Sequence, residues 1–178
     1  MMMAYIDLPT FEEMSPEIQE RARPIMEKTG QLGEIFQLLA LDEKVYFSTD
    51  MMVQNYLLKE TLLSYEIKEA IALLISKENS CKMCVGVHKN IAKMLGLSEA
   101  KIEEILAGVD AMSNSEKEKA LLKFCIRAAQ KDNYKITKDD IDAMKALGWS
   151  DKELLEAVAI VGYFNYINTL SNVFGLGE

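Results

Sequence analysis

An all-α domain is the fold class this sequence predicts, and three observations predict it. The three prolines, Pro9, Pro16 and Pro24, all precede residue 25, so the rest of the 178-residue chain has no proline break. Leu, Ala, Met, Glu and Lys, which lose little on entering a helix, are abundant throughout. Apolar residues recur at helical spacing in successive segments, several opened by Ser or Thr and closed by Gly. A composition of 49% hydrophobic and 27% charged residues is that of an ordinary globular chain, long enough to bury a core without staples. We read one structural domain. Residues 61–178 form its helical core, and residues 1–60 form an N-terminal arm and helices that pack on that core or on a neighbouring subunit.

The elements follow in order. Residues 1–15 read as an extended arm. Ser15 as N-cap and Pro16 at the first helical position start a helix, disturbed at Pro24 and stopped at Thr29-Gly30. "GEIFQLLALDEKVYFSTDMMVQNYLLKETL" reads as two helices divided near Leu41-Asp42, with Met51 and Met52 as core filler. "YEIKEAIALLISKEN" places Ile67, Ala70, Ile71, Leu74 and Ile75 on one face and stops at Asn79. A second helix begins at Ser80 and ends at Gly96, making 65–95 a helical hairpin. Ser98 caps a short helix closed by Gly108, and "SEKEKALLKFCIRAAQKD" supplies the next. Thr137 with Asp140 resembles a capping box, and Ser150 opens a long apolar helix to the end of the chain.

A weak internal repeat runs through the second half. "LGLSEAKIEEIL" and "LGWSDKELLEAV" are offset by 52 residues, and the same offset lays "NSCKMCVGVH" over "KDNYKITKDD". The second copy keeps helix signals and lacks every Cys and His. The fold therefore does not require those residues, which points to chemistry as the reason for them.

Net charge is −8, and Lys and Arg are scattered among acidic residues, so nucleic acid and anionic membrane are not expected partners. The opening "MMMAYIDLPTFEEMS" lacks the pattern of a signal peptide and no 18-residue apolar run exists, so a cytoplasmic location is expected. There thiols are kept reduced, and a close Cys pair is catalytic or metal-binding more often than structural.

That pair lies in "NSCKMCVGVHKN", which holds two of the three cysteines and the single histidine. On a helix starting at Ser80, Cys81, Cys84 and His88 form a ladder on one face. The helix start, Lys82 and Lys89 all favour a thiolate. The helix dipole favours Cys81 as attacker, whereas a base four residues on favours Cys84. His88 works best as a base with a carboxylate on its other nitrogen. If the hairpin closes around Asn79-Ser80, Glu69 lies about ten residues before the turn and His88 about eight after, at nearly the same height for a rise of about 1.5 Å per residue. Glu66 reads as a first-turn helix charge.

Glu69, Cys81-Lys-Met-Cys84 and His88 at this spacing resemble the signature of alkylhydroperoxidase D-like (AhpD-like) proteins of the carboxymuconolactone decarboxylase superfamily, and the helical layout of about 60–176 is similar. The resemblance implies an all-α AhpD-like fold and homo-oligomers, often trimers or hexamers, with a dimer also open. It implies peroxidase-type or disulfide chemistry with a hydroperoxide or disulfide substrate and an external thiol reductant. Carried over by position, Cys84 is the attacking thiol, Cys81 its resolving partner, and Glu69 and His88 the proton relay. One departure stands out: the founding members carry a second histidine just before the second cysteine, where this chain has Met83. No metal, flavin or nucleotide motif appears, so no bound cofactor is expected.

Other readings stay open: a zinc site from Cys81, Cys84, His88 and Glu69, a decarboxylase or lactone-processing enzyme, a reductase of a partner's disulfide, or a non-catalytic interaction protein. Cys125, between Phe124 and Ile126, reads as a core residue. Asn165, Asn168 and Asn172 form a polar seam between helices, or else Asn165 and Asn168, with Tyr163 or Tyr166, line a substrate pocket over the thiols. Trp149 reads as a packing residue.

Overall fold

The computed structural model describes residues 4–177, and among these every regular element is helical. The predicted arm at 1–15 lies partly outside the described residues. Its remainder reaches across the chain, with the Tyr5 N–H donating to the Phe174 carbonyl at 2.9 Å, before a single turn at Phe11–Glu13.

Helix α1 (Pro16–Thr29) begins as expected, with Ser15 Oγ accepting the Ile18 N–H, and ends on Gly30 in the left-handed conformation at φ 73°. It runs unbroken through Pro24, against the expectation of a disturbance there. Pro24 faces solvent, where water can satisfy the carbonyl that the missing N–H leaves open. Helices α2 (Glu34–Leu39) and α3 (Glu43–Met52) divide where expected, Asp42 capping the second through the Lys44 and Val45 N–H groups. A π-helical turn, Val53–Leu57, continues α3. Met51 is 65% exposed, which corrects its reading as core.

Helix α4 (Tyr65–Glu78) is the centre of the molecule. Instead of one apolar face, Ile67 through Ser76 are all buried, and α4 packs against α5 (Lys82–Met94), α6 (Glu99–Ala107), α7 (Glu116–Ala129) and α9 (Asp151–Val173). The α4–α5 turn passes through Ser80 at φ 55°, and the Cys81 N–H bonds back to Ser76 O at 2.9 Å. Cys81, not Ser80, is the N-cap of α5, its Sγ accepting the Cys84 N–H at 3.3 Å. Helix α8 (Lys138–Ala146) completes the chain's second copy of the repeat. Starts of α6 and α9 are 52 residues apart, and Gly96 (φ 95°) and Gly148 (φ 89°) close the preceding helices alike. The Leu97 N–H bonds to Ala92 O and the Trp149 N–H to Met144 O, the same closure at the same offset. Trp149 is buried in the core, with Nε1 donating to Lys117 O.

Capping boxes open α8 and α9. Backbone and side-chain donation from Thr137 lowers the Asp140 carboxyl pKa, and donation from the Ser150 hydroxyl and backbone lowers that of Glu153. A lowered folded-state value means stability present above the ordinary carboxylate range and lost as pH falls through the folded value. Ser150→Ala is therefore expected to cost about 0.5–2 kcal/mol at neutral pH. The deficit should shrink as pH falls through the lowered folded-state value of Glu153, in urea melts run from neutral to acid pH.

Candidate functional site

The α4–α5 hairpin builds the site. In the second turn of α4, Glu69 projects toward α5, and its Oε2 lies 2.9 Å from His88 Nδ1. Both side chains are buried or nearly so. Nδ1 is thus occupied, which leaves Nε2 as the nitrogen free for proton exchange. The imidazole also packs edge-on against Phe164 of α9, centroids 4.8 Å apart. The equal height expected of Glu69 and His88 corresponds to a direct contact, and Glu66 instead lies near Lys101 and Asn114.

Cys81 and Cys84 are joined as a disulfide with Cα atoms 5.3 Å apart, 1% and 2% exposed. Cys84 Sγ lies 3.5 Å from Ser171 Oγ, whose hydroxyl donates to the Ile167 carbonyl. Ser171 carried no signal in the sequence, being one small polar residue in an apolar helix. The third thiol, Cys125, is buried in the main core, where desolvation pushes it up to about 12. That places it outside the reactive range.

One cavity of about 130 Å³ collects these groups. Cys84, Met83, Val87, His88 and Ile91 line it from α5, Glu69 from α4, and Tyr163 and Ile167 from α9. The remaining wall comes from α2, α3 and the π turn, through Ile35, Leu39, Tyr46, Asp50 and Leu57 among others. The N-terminal helices therefore fold over the hairpin of their own chain. Met83, where the resemblance led one to look for a histidine, presents a thioether to this cavity.

Asn165 and Asn168, two of the residues read as pocket-lining, do not reach the cavity. Asn79 Nδ2 donates to Asn165 Oδ1 at 2.8 Å and Asn168 Oδ1 at 3.0 Å, while Asn168 Nδ2 donates to Ser76 Oγ and Asn172 Nδ2 to Asn79 O. They form the polar seam that ties α9 to the end of α4, and Asn165 Nδ2 extends it to the end of α7 by donating to Ala129 O at 3.1 Å. Tyr166 is 40% exposed, with its hydroxyl 3.2 Å from Thr49 Oγ1, and is also absent from the cavity wall. Tyr163 is on that wall, as is Tyr46, which the sequence did not single out.

The model of the carboxymuconolactone decarboxylase family matches residues 47–127, a span that contains Glu69, Cys81, Cys84 and His88. This segment is similar to that family. Among curated proteins none matches the chain in sequence. Solved structures do match it in shape. An alkylhydroperoxidase AhpD core, an uncharacterized peroxidase-related protein of Ralstonia eutropha JMP134, superimposes at a TM-score of 0.88 with 19% identity, over 99% of this chain and 92% of its own. A peroxidase-related protein of Silicibacter sp. TM1040 gives 0.86 with 20% identity over 97% and 90%. The debrominase Bmp8, in complex with 2,3,4-tribromopyrrole, gives 0.74 with 17% identity over 90% and 84%. At these identities the likeness is one of fold, so the chain has the all-α AhpD-like fold that residues 69–88 led us to expect.

Proposed function

We propose that the protein is a CxxC-dependent thiol peroxidase that reduces small hydroperoxides. The observation that carries this reading is the convergence of Cys84 and the Glu69–His88 pair on one cavity. In the reduced protein His88, held by Glu69, takes the Cys84 proton. The thiolate attacks the outer oxygen of the hydroperoxide, the O–O bond breaks, and the departing alkoxide takes a proton and leaves as alcohol. Cys81 then attacks the Cys84 sulfenic acid, releasing water and forming the disulfide. An external thiol reductant restores the pair. Burial of both sulfurs favours a small substrate over a bulky protein disulfide as the oxidant.

Stopped-flow oxidation of the reduced protein by one equivalent of organic hydroperoxide, with peptide mapping, tests this. Wild type should form the Cys81–Cys84 disulfide far faster than a free thiol reacts. Cys81→Ser should stall as a sulfenic acid on Cys84, trapped by dimedone, and Cys84→Ser should consume no peroxide. Oxidation no faster than free thiol would exclude the reading, and unchanged turnover of a lactone by Cys84→Ser would favour the decarboxylase class instead.

The cavity's mostly apolar, ring-sized interior favours a second reading, reductive dehalogenation. Two thiols would supply two electrons and one proton to replace carbon–halogen by carbon–hydrogen, leaving disulfide, halide and a proton. Release of bromide from 2,3,4-tribromopyrrole by the reduced protein distinguishes it from the first.

A further inference from the structure

The substrate side of the cavity carries two groups that the proposed chemistry does not use. Tyr46, on α3, is 2% exposed and lies on the cavity wall, yet its hydroxyl makes no hydrogen bond to any described residue. Tyr163, on α9, lines the same cavity and its hydroxyl is likewise unpartnered among the described residues. Neither is a sealed orphan: among the described residues no side-chain oxygen cut off from solvent lacks a partner, so both phenols meet open space, and Tyr163 also borders a second pocket beside Thr49 and Tyr166. Asp50, the anion that both phenols feel, is already engaged: Oδ2 accepts Arg21 Nε at 2.7 Å, and Oδ1 accepts Arg21 Nη2 and Gln54 Nε2. Burial, then Asp50, raises the Tyr46 pKa, and burial, then Tyr166 and Asp50, raises that of Tyr163. Both phenols therefore keep their protons and remain donors.

We propose that Tyr46 and Tyr163 form a hydrogen-bonding subsite that seats a small, mainly apolar molecule by a single oxygen acceptor. The rest of the cavity selects the body of that molecule. Ile35, Leu39, Val87, Ile91 and Ile167 offer it no polar partner, so a ring or branched alkyl group fits them and a fully polar molecule such as hydrogen peroxide does not. The proposal rests on the peroxidase reading for the identity of the substrate, an organic hydroperoxide whose oxygen accepts from the phenols, but not for the binding itself. Tyr46 and Tyr163 are positioning residues, and the α3 residue lies outside the segment bearing the thiols.

Binding to the oxidised protein separates the two claims, since a disulfide cannot turn over peroxide. NMR titrations with benzyl alcohol and with toluene compare two ligands of one shape, with and without the acceptor. Wild type should bind the alcohol more tightly, and Tyr46→Phe and Tyr163→Phe should each weaken the alcohol by about 3- to 10-fold, the worth of one hydrogen bond, while leaving toluene unchanged. Equal loss of both ligands, no loss of either, or no binding of alcohol to wild type would overturn the subsite. In parallel, kcat/KM is measured for tert-butyl hydroperoxide and for hydrogen peroxide. Tyrosine-dependent alcohol binding without peroxide turnover keeps the subsite and removes the peroxidase reading. Fast turnover with tyrosine-independent binding does the reverse.

Discussion

Glu69→Gln is expected to slow oxidation of the reduced protein by organic hydroperoxide by about 10²- to 10⁴-fold, the range that a positioned general base supplies. The reason is the 2.9 Å contact between Glu69 Oε2 and His88 Nδ1. A carboxylate can only accept, so the Nδ1 proton is fixed and Nε2 is the basic nitrogen. An amide in the same place can turn its NH₂ toward Nδ1 and select the opposite tautomer, which leaves Nε2 protonated and unable to take the thiol proton. His88→Gln should lower the rate by a similar factor through outright loss of the base. Because the two residues act as one unit, the double variant should be no slower than the worse single one. Simple additivity of the two losses would show that Glu69 serves packing or stability instead. Thermal melts control for that, and Glu69→Gln should melt near wild type because it removes a buried charge while keeping the shape.

The Glu69–His88 contact is legible in the amino-acid sequence because it is local. A hairpin needs only two helix periods and one turn, and the rise per residue then sets which side chains share a height. The caps at Ser15, Ser98 and Ser150 are readable on the same grounds, since each is fixed by a few neighbours. Expectations that fail depend on distant packing. Asn165 and Asn168 are indeed polar groups in an apolar helix, but whether they face a cavity or Asn79 depends on how α9 lies against α4. Met51 carries the apolar signal of a core residue and yet faces outward. The cavity wall from α2 and α3, with Tyr46, comes from residues more than thirty positions before the cysteines, and no local period announces it. Lys68, a lysine close to two glutamates in "YEIKEAI", is 1% exposed, and no local signal announces that either, because its partners lie outside α4.

Glu156→Gln is expected to destabilise the fold by about 3–5 kcal/mol, the cost of leaving a buried charge uncompensated. For a chain of this size that should lower the melting temperature by roughly 10 °C or more. Lys68 Nζ donates to the carbonyls of Tyr56 and Lys59 at 2.7 Å and to Thr61 Oγ1 at 2.6 Å, with Glu156 Oε1 at 3.6 Å as its counter-charge. Glu156 in turn accepts from the Thr61 hydroxyl and from the Leu62 and Leu63 N–H groups. Glutamine can keep Oε1 as acceptor for Thr61 and Leu63 but turns an NH₂ toward the Leu62 N–H, so the loss combines the charge with one backbone hydrogen bond. Desolvation lowers the Lys68 pKa, and Glu156 is the main influence opposing it. Without Glu156 the folded-state value falls further, while the unfolded chain still holds its proton up to the ordinary lysine range. Between those two values the unfolded state binds more protons, so the variant's stability should rise with pH. A deficit that does not narrow between pH 7 and pH 10 would mean that the pair is not what holds the segment. Adding Lys68→Met should restore only part of the stability, because the Tyr56 and Lys59 carbonyls then lose their donor. The pair knots residues 56–63 onto α4 immediately beside Glu69, and the cavity wall at Leu57 and Leu58 hangs from that knot. Loosening it should therefore also weaken benzyl alcohol binding, by a route that Tyr46→Phe does not share.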